Sequence, residues 1–259
     1  LRLSRDGLTH SVGARLNVLS SPGGQSWTLR ANGGGLLRDV AYGGVPAVYV
    51  AVGADGVPVS STDGVEWTVR PETALPALNA VAYGAGRFVA VGAGGAIRRS
   101  LDGSVWTTVD AGASVDLEDV VYSGGRFVAV GGDAVLVSED GGRNWQTRSF
   151  RSDEMILYGI AGDGADGYLA VGNGGRVFHS VDGGDGWNVR PSSIATDLRG
   201  VAFGDGRFVT VGDAGVLFTS DDDGRTWKAR ESGTLATLRH VAYRADVFVA
   251  VGDAGTILT

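Results

Sequence analysis

Short apolar stretches rich in Val, Ala, Phe and Leu alternate along this chain with Gly-containing turns, and the alternation returns in the same order seven times. The clearest copy runs from Leu198 to Arg230 as L-R-G-V-A-F, G-D-G, R-F-V-T-V, G-D-A-G, V-L-F-T-S, D-D-D-G-R, T-W-K-A-R. Each apolar stretch has the length and the β-branched or aromatic content of a strand. Gly-bearing turns between such stretches are hairpin signals, so each copy predicts a four-stranded antiparallel meander. The frame restarts at Leu37, Leu78, Leu117, Leu157, Leu198 and Leu238, and an N-terminal copy keeps Val12-Gly13 and Trp27.

The six tryptophans, Trp27, Trp67, Trp106, Trp145, Trp187 and Trp227, are separated by 40, 39, 39, 42 and 40 residues. A period near 40 with four strands per repeat is that of propeller blades, and neighbouring repeats of this kind bury a continuous core. The expectation is one all-β domain over residues 1–259, a seven-bladed β-propeller with repeats at about 1–36, 37–77, 78–116, 117–156, 157–197, 198–237 and 238–259. The alternative is a six-bladed ring with the N-terminal copy displaced. Six copies of four strands and a last copy of three are expected. Leu1 to Ser4 serves either as the first strand of the first blade or as the outer strand of the last.

Composition narrows the class. The chain has 44 Gly against 6 Pro, and the glycines fall at fixed repeat offsets where a positive φ or a close backbone approach is wanted. A net charge of -7 disfavours a reader of nucleic-acid phosphates, which needs a clustered basic surface. With no Cys there is no thiolate ligand or cysteine nucleophile, and His10, His179 and His240 lack metal-binding spacing, so neither metal nor cofactor is expected. No apolar run is long enough to span a membrane. The Gly-rich turns Gly92 to Gly95 and Gly172 to Gly175 join strands and precede no helix, so they do not form phosphate cradles.

Between the third and fourth strands stands S-x-D-x-G-x-x-W, complete at Ser138 to Trp145, Ser180 to Trp187 and Ser220 to Trp227. It is one residue shorter at Ser61 to Trp67 and Ser100 to Trp106, and Ser20 to Trp27 has Pro22 in place of the Asp. These segments resemble Asp boxes, or BNR repeats. A carboxylate there accepts turn amides, Gly takes the strained φ and Trp covers the turn, so Asp63, Asp102, Asp140, Asp182 and Asp222 are expected to be structural, as are the six Trp. A calcium site would need more oxygen ligands than the box offers. With G-R-F-V-A-V-G ahead of the box, the whole chain resembles bacterial Asp-box propellers related to the photosystem II assembly factor family. That resemblance implies an exported or periplasmic protein that holds other polypeptides and catalyses no reaction.

The face opposite the boxes is the expected ligand face, and its variable positions are the candidates. The residue after each opening Leu is Arg38, Asn79, Glu118, Tyr158, Arg199 and Arg239, and the next is Asp39, Ala80, Asp119, Gly159, Gly200 and His240. The longest departure from the repeat, Ser149 to Ile156, adds Phe150 and Arg151 as candidate contacts. The binding set is therefore Arg38, Glu118, Phe150, Arg151, Tyr158, Arg199, Arg239 and His240, presented to a protein or peptide. A glycan-binding lectin is the alternative, though its grooves should carry one recurring residue set, whereas these carry Glu72, Asp110, Asp153, Asp197 and Glu231. A sialidase-like hydrolase fits less well, because the Arg-Ile-Pro motif is absent and the loops are too short for a deep pocket around paired carboxylates.

Overall fold

The computed structural model describes residues 2–3, 9–13, 17–21, 28–31, 36–69, 75–150 and 155–259, with side chains from Leu36 onward apart from that of Ser149. The first sheet is β1 (Arg2–Leu3), β2 (Thr9–Gly13), β3 (Asn17–Ser21) and β4 (Thr28–Ala31), and the second is β5 (Leu37–Gly43), β6 (Val48–Gly53), β7 (Val59–Ser61) and β8 (Thr68–Val69). The third comprises β9 (Leu78–Gly84), β10 (Arg87–Gly92), β11 (Ile97–Ser100) and β12 (Thr107–Val109). The fourth comprises β13 (Asp119–Ser123), β14 (Arg126–Gly131), β15 (Ala134–Ser138) and β16 (Gln146–Ser149). The fifth is β17 (Leu157–Gly162), β18 (Tyr168–Gly172), β19 (Val177–Ser180) and β20 (Asn188–Arg190), and the sixth is β21 (Leu198–Gly204), β22 (Arg207–Gly212), β23 (Leu217–Ser220) and β24 (Lys228–Ala229). A last sheet holds only β25 (Leu238–Arg244), β26 (Val247–Gly252) and β27 (Ile257–Leu258).

Every sheet is an antiparallel meander in sequence order, so the all-β blade architecture is as the repeat implies. The expectation of seven four-stranded blades is corrected: among the described residues six sheets have four strands and the last has three. Six complete blades is the lower of the two expected counts, but the N-terminal copy is not the displaced one. β1 pairs with β2 as the first strand of its own sheet, Arg2 opposite His10, and does not pair with the last sheet. First strands pack against first strands around the ring, from β5 through β25, and β1 meets both β5 and β25 to close it.

The walls between blades are the core. Val50, Val89, Val128 and Leu169, at one position of the second strand, are all fully buried. Across five of the first hairpins an aromatic pair stacks at a tilt, as in Tyr83 with Phe88 (ring centroids 4.8 Å) and Phe203 with Phe208 (4.7 Å). The Gly that ends V-A-V-G is extended, with φ -177° at Gly92, so its role is close approach rather than a positive φ. A Cβ there would strike the Ala77 carbonyl oxygen, and Gly53, Gly131 and Gly212 face the same obstacle at Leu36, Asp116 and Asp197.

Phe150 departs from the expectation of an outward contact. Its ring lies 4.7 Å from Phe178 and 6.5 Å from Trp187, packed into the wall between the fourth and fifth blades beside buried Met155. Phe150 and Met155 gain more from burial than from solvent, whereas Ile156 of the same connector stays exposed. Arg151 and Trp27 lie outside the described residues. Among the described residues no helix is long and apolar enough to cross a membrane.

Candidate functional site at the channel mouth

The box hairpins come first, because they fix which face is free. In the second blade the Ser61 hydroxyl donates to Asp63 Oδ1 at 3.0 Å, and the same oxygen accepts the Val65 and Glu66 amides at 2.8 and 2.9 Å. Trp67 Nε1 donates to the Gly64 carbonyl at 3.3 Å. Asp102, Asp140, Asp182 and Asp222 repeat the serine and amide bonds, and Trp106, Trp145 and Trp187 repeat the indole bond. Trp227 is the exception, its buried Nε1 having no partner. The Thr226 hydroxyl, outweighing an opposing burial and joined by the Thr226 amide and Ser220, holds the Asp222 carboxyl down to about 2. With their oxygens committed to the turn, these carboxylates serve the hairpin.

At the opposite end, one repeat position gathers six side chains around the channel mouth. Arg38 donates from Nη1 to Asn79 Oδ1; Asn79 Nδ2 donates to the Leu117 carbonyl at 2.9 Å and to Glu118 Oε2 at 3.4 Å. On the other side the Arg199 guanidinium lies 4.3 Å over the Tyr158 ring. Arg199 also grips Asp213 with Nε and Nη2 at 2.9 and 2.8 Å and reaches Asp197 at 3.0 Å. Arg239 repeats the fork to Asp253, with Nη2 at 3.0 Å. Bidentate pairing of this kind is strong and directional, and the Asp213 bonds, against burial, push the Arg199 guanidinium up.

The second blade has Ala54 where Asp213 and Asp253 stand. Arg38 therefore has no carboxylate within ion-pair distance among the described residues, and its hydrogen-bond partner is a neutral amide. Burial raises the Glu118 carboxyl above its ordinary value, as does Asp116, while Arg38 and Arg199 pull it the other way. Among the described side chains the mouth thus carries three guanidiniums, two paired with carboxylates at close range and one exposed beside Asn79.

Of the candidate binding residues, Arg38, Glu118, Tyr158, Arg199 and Arg239 come together here. The following position does not join them. Asp39 is buried, accepting the Val40 amide of its own blade and the Val81 amide of the next, each at 2.8 Å. Asp119 does the same with Val120 at 2.8 Å and Ile160 at 3.0 Å. His240 occupies that seam position, opposite Val251, and a Cβ on Gly200 would lie 3.0 Å from its Cα. Asp39 and Asp119 join blades and present no surface; His240, at the same strand position, is half-buried. Missing from the sequence reading were Asp213 and Asp253. Their signal was in the repeat, since only copies with Arg after the opening Leu and Asp after V-G supply both halves of the fork within one blade.

Blades of antiparallel meanders braced by Asp boxes, arranged around a channel, define the class of Asp-box β-propellers. Residues 98–259 match the family described as photosynthesis system II assembly factor YCF48, and the chain belongs to that family. No curated protein matches it. Among solved structures it is similar to YCF48 bound to D1 peptide, with 22% identity over 97% of this chain and 89% of that one at a TM-score of 0.76. It is also similar to YCF48 from Cyanidioschyzon merolae, 20% identical over 99% of this chain and 92% of that one at a TM-score of 0.77. The WD40 propeller domain of Doa1 aligns with a TM-score of 0.75 at 15% identity, covering 97% of this chain and 88% of that one. These likenesses show the fold.

Proposed function

We propose that this chain is a non-enzymatic propeller that holds a polypeptide partner at the channel mouth, on the face opposite the Asp boxes. The observation that carries it is the unequal neutralisation of the three guanidiniums. Arg38, whose bond among the described residues is to Asn79, offers a cation to an acidic or carbonyl-bearing segment, while Tyr158 under Arg199 offers an aromatic face. Membership of the assembly-factor family supports a polypeptide ligand, as does the D1 peptide held by one structural relative. Hydrolysis of a carboxylated sugar is disfavoured by the commitment of Arg199 and Arg239 to Asp213 and Asp253.

The test is titration of the protein with a D1 peptide and, in parallel, a glycan panel and a fluorogenic sialoside. Saturable peptide binding that falls roughly tenfold or more in Arg38→Glu is expected, since reversing a contact charge costs on the order of 1–3 kcal/mol. Saturable sugar binding at several sites per chain would favour a lectin instead. Sialoside turnover lost in Arg199→Ala would make the protein a hydrolase.

A further inference from the structure

On the face that carries the boxes, the hairpins of the fourth and fifth blades each rest against an arginine that opens the second strand of the preceding blade. Between the fourth and fifth blades that arginine is answered by carboxylates. Arg126, which opens β14, lies 2.7 Å from Glu139 of its own box and 3.9 Å from Asp185 of the next, and donates from Nη1 to the Asp182 carbonyl at 3.1 Å. Arg148 of β16 also reaches Asp185, at 2.9 Å. In the sixth blade Arg207 opens β22 with Asp205 at 3.0 Å and Asp221, the residue after the box Ser, at 3.9 Å.

The joint between the third and fourth blades has the same backbone and the opposite chemistry. Arg87 opens β10 and lies across the fourth box, where a Cβ on Gly141 would come 3.0 Å from its Nε and 3.5 Å from its Cζ. Leu101 stands where Glu139 does and Arg143 where Asp185 does, so both carboxylates are missing and one is replaced by a cation. Arg99 of β11 adds a third guanidinium at the position of Val137. It pairs across the ladder with Val89, over which the same hairpin closes, a Cβ on Gly142 lying 2.7 Å from Val89 Cγ2. Burial, and then the charges of Arg87 and Arg143, push the Arg99 guanidinium down, with Asp140 opposing. The Asp140 carboxylate is spent on its own turn, Oδ1 on the Arg143 and Asn144 amides at 2.9 Å each and Oδ2 on Asn144 Nδ2 at 2.7 Å. Among the described residues none of the three arginines has a carboxylate within ion-pair distance, and their one side-chain hydrogen bond runs from Arg87 Nε to the Ala85 carbonyl at 3.5 Å. Beside them Leu101 and Val105 are each 67% exposed, where the fourth box has Glu139 and Asn144.

We propose that Arg87, Arg99 and Arg143 form a binding site for a phosphate monoester, presented as a phosphorylated serine or threonine of a polypeptide, on the face opposite the channel mouth. A carboxylate would offset one of the three clustered cations. A phosphate monoester brings a charge of about -2 at neutral pH and three acceptor oxygens, so a single group answers the cluster. Leu101 and Val105 give an apolar residue beside the phosphorylated one a surface to cover, which a free ion lacks.

The probe is the synthetic peptide Gly-Gly-Leu-Ser-Leu-Gly-Gly, with and without phosphate on its serine, titrated calorimetrically into the 259-residue protein. Saturable one-to-one binding of the phosphorylated form is expected, about tenfold or more tighter than that of its unphosphorylated twin. It should weaken as pH falls through about 6, where the phosphate loses its second charge. Leu101→Glu and Arg143→Asp import the partners found one blade on, so the fold should be kept while affinity falls about tenfold or more in each. Arg38→Glu should leave this binding unchanged, which separates it from the channel mouth. Absence of saturable binding, equal binding of the unphosphorylated peptide, inorganic phosphate binding as tightly as the peptide, or affinity unmoved in both Leu101→Glu and Arg143→Asp overturns the proposal. So does preferential binding of phosphatidylglycerol vesicles lost in the same two variants, which would make the cluster a membrane contact. The peptide comparison stands even where a variant does not fold.

Discussion

A single carboxylate oxygen holding two turn amides is the smallest unit of stability in this molecule. Asp222 Oδ1 accepts the Thr226 amide at 2.8 Å while Oδ2 takes the Thr226 hydroxyl at 2.7 Å. Asp222→Ala strands those donors and is expected to cost about 1–2 kcal/mol, a loss of roughly 2–8 °C in unfolding temperature by calorimetry. The pH dependence follows from the depressed carboxyls. Asp140 is raised by burial but held down to about 2 by Asn144, Ser138 and the Arg143 amide, and Asp222 is likewise held to about 2. A carboxyl with a folded value below its unfolded one contributes stability that is complete above about pH 4 and is lost as pH falls toward 2. Acid titration of the wild type should show this loss, and Asp222→Ala should show less of it. Glu118 has the opposite sign. Its folded value is raised, so its charged form costs stability at neutral pH and that cost disappears in acid. Glu118→Gln should therefore match or exceed the wild-type unfolding temperature at pH 7, with the difference gone near pH 4.

At the scale of the strand, much was legible because the repeat encodes its own geometry. Val and Phe at alternate positions gave the strands, and pairs such as Asp205-Gly206, with φ of 47° and 69°, gave the tight first hairpins. The Gly of V-A-V-G was legible as a special position, and the structure supplies its cause in the carbonyl that crosses it. Gly92→Ala forces a Cβ onto the Ala77 oxygen and should destabilise by about 1–3 kcal/mol or more in urea unfolding, whereas Gly86→Ala meets nothing within 4 Å and pays only for its φ of 74°. What the sequence hid was side-chain direction. Arg38 and Asp39 are adjacent in an extended strand and so turn to opposite sides, one to the channel mouth and one into the seam. Phe150 read as an exposed anchor because a connector has no period to reveal which way its ring packs.

Across the described residues the ring is closed by contact between first strands, with β1 lying against β25, and no described strand is exchanged between the first and last sheets. The joints around that ring are unequal. Buried carboxylates bind the second blade to the third and the fourth to the fifth, whereas the fifth, sixth and seventh meet where Gly159 and Gly200 let backbone approach backbone. In a stack whose stability is a sum of unit and neighbour terms, the weakest neighbours open first. Native-state amide exchange should therefore be slowest in the third to fifth blades and fastest beside β27.

Arg38, the guanidinium at the channel mouth with no ion-pair partner among the described residues, sits on a protein of net charge -7. An acidic visitor is thus repelled from afar and welcomed only within a few ångströms, so added salt should hasten its arrival even as it loosens the final grip. A segment that is basic along most of its length and acidic at one point would find both the approach and the landing favourable.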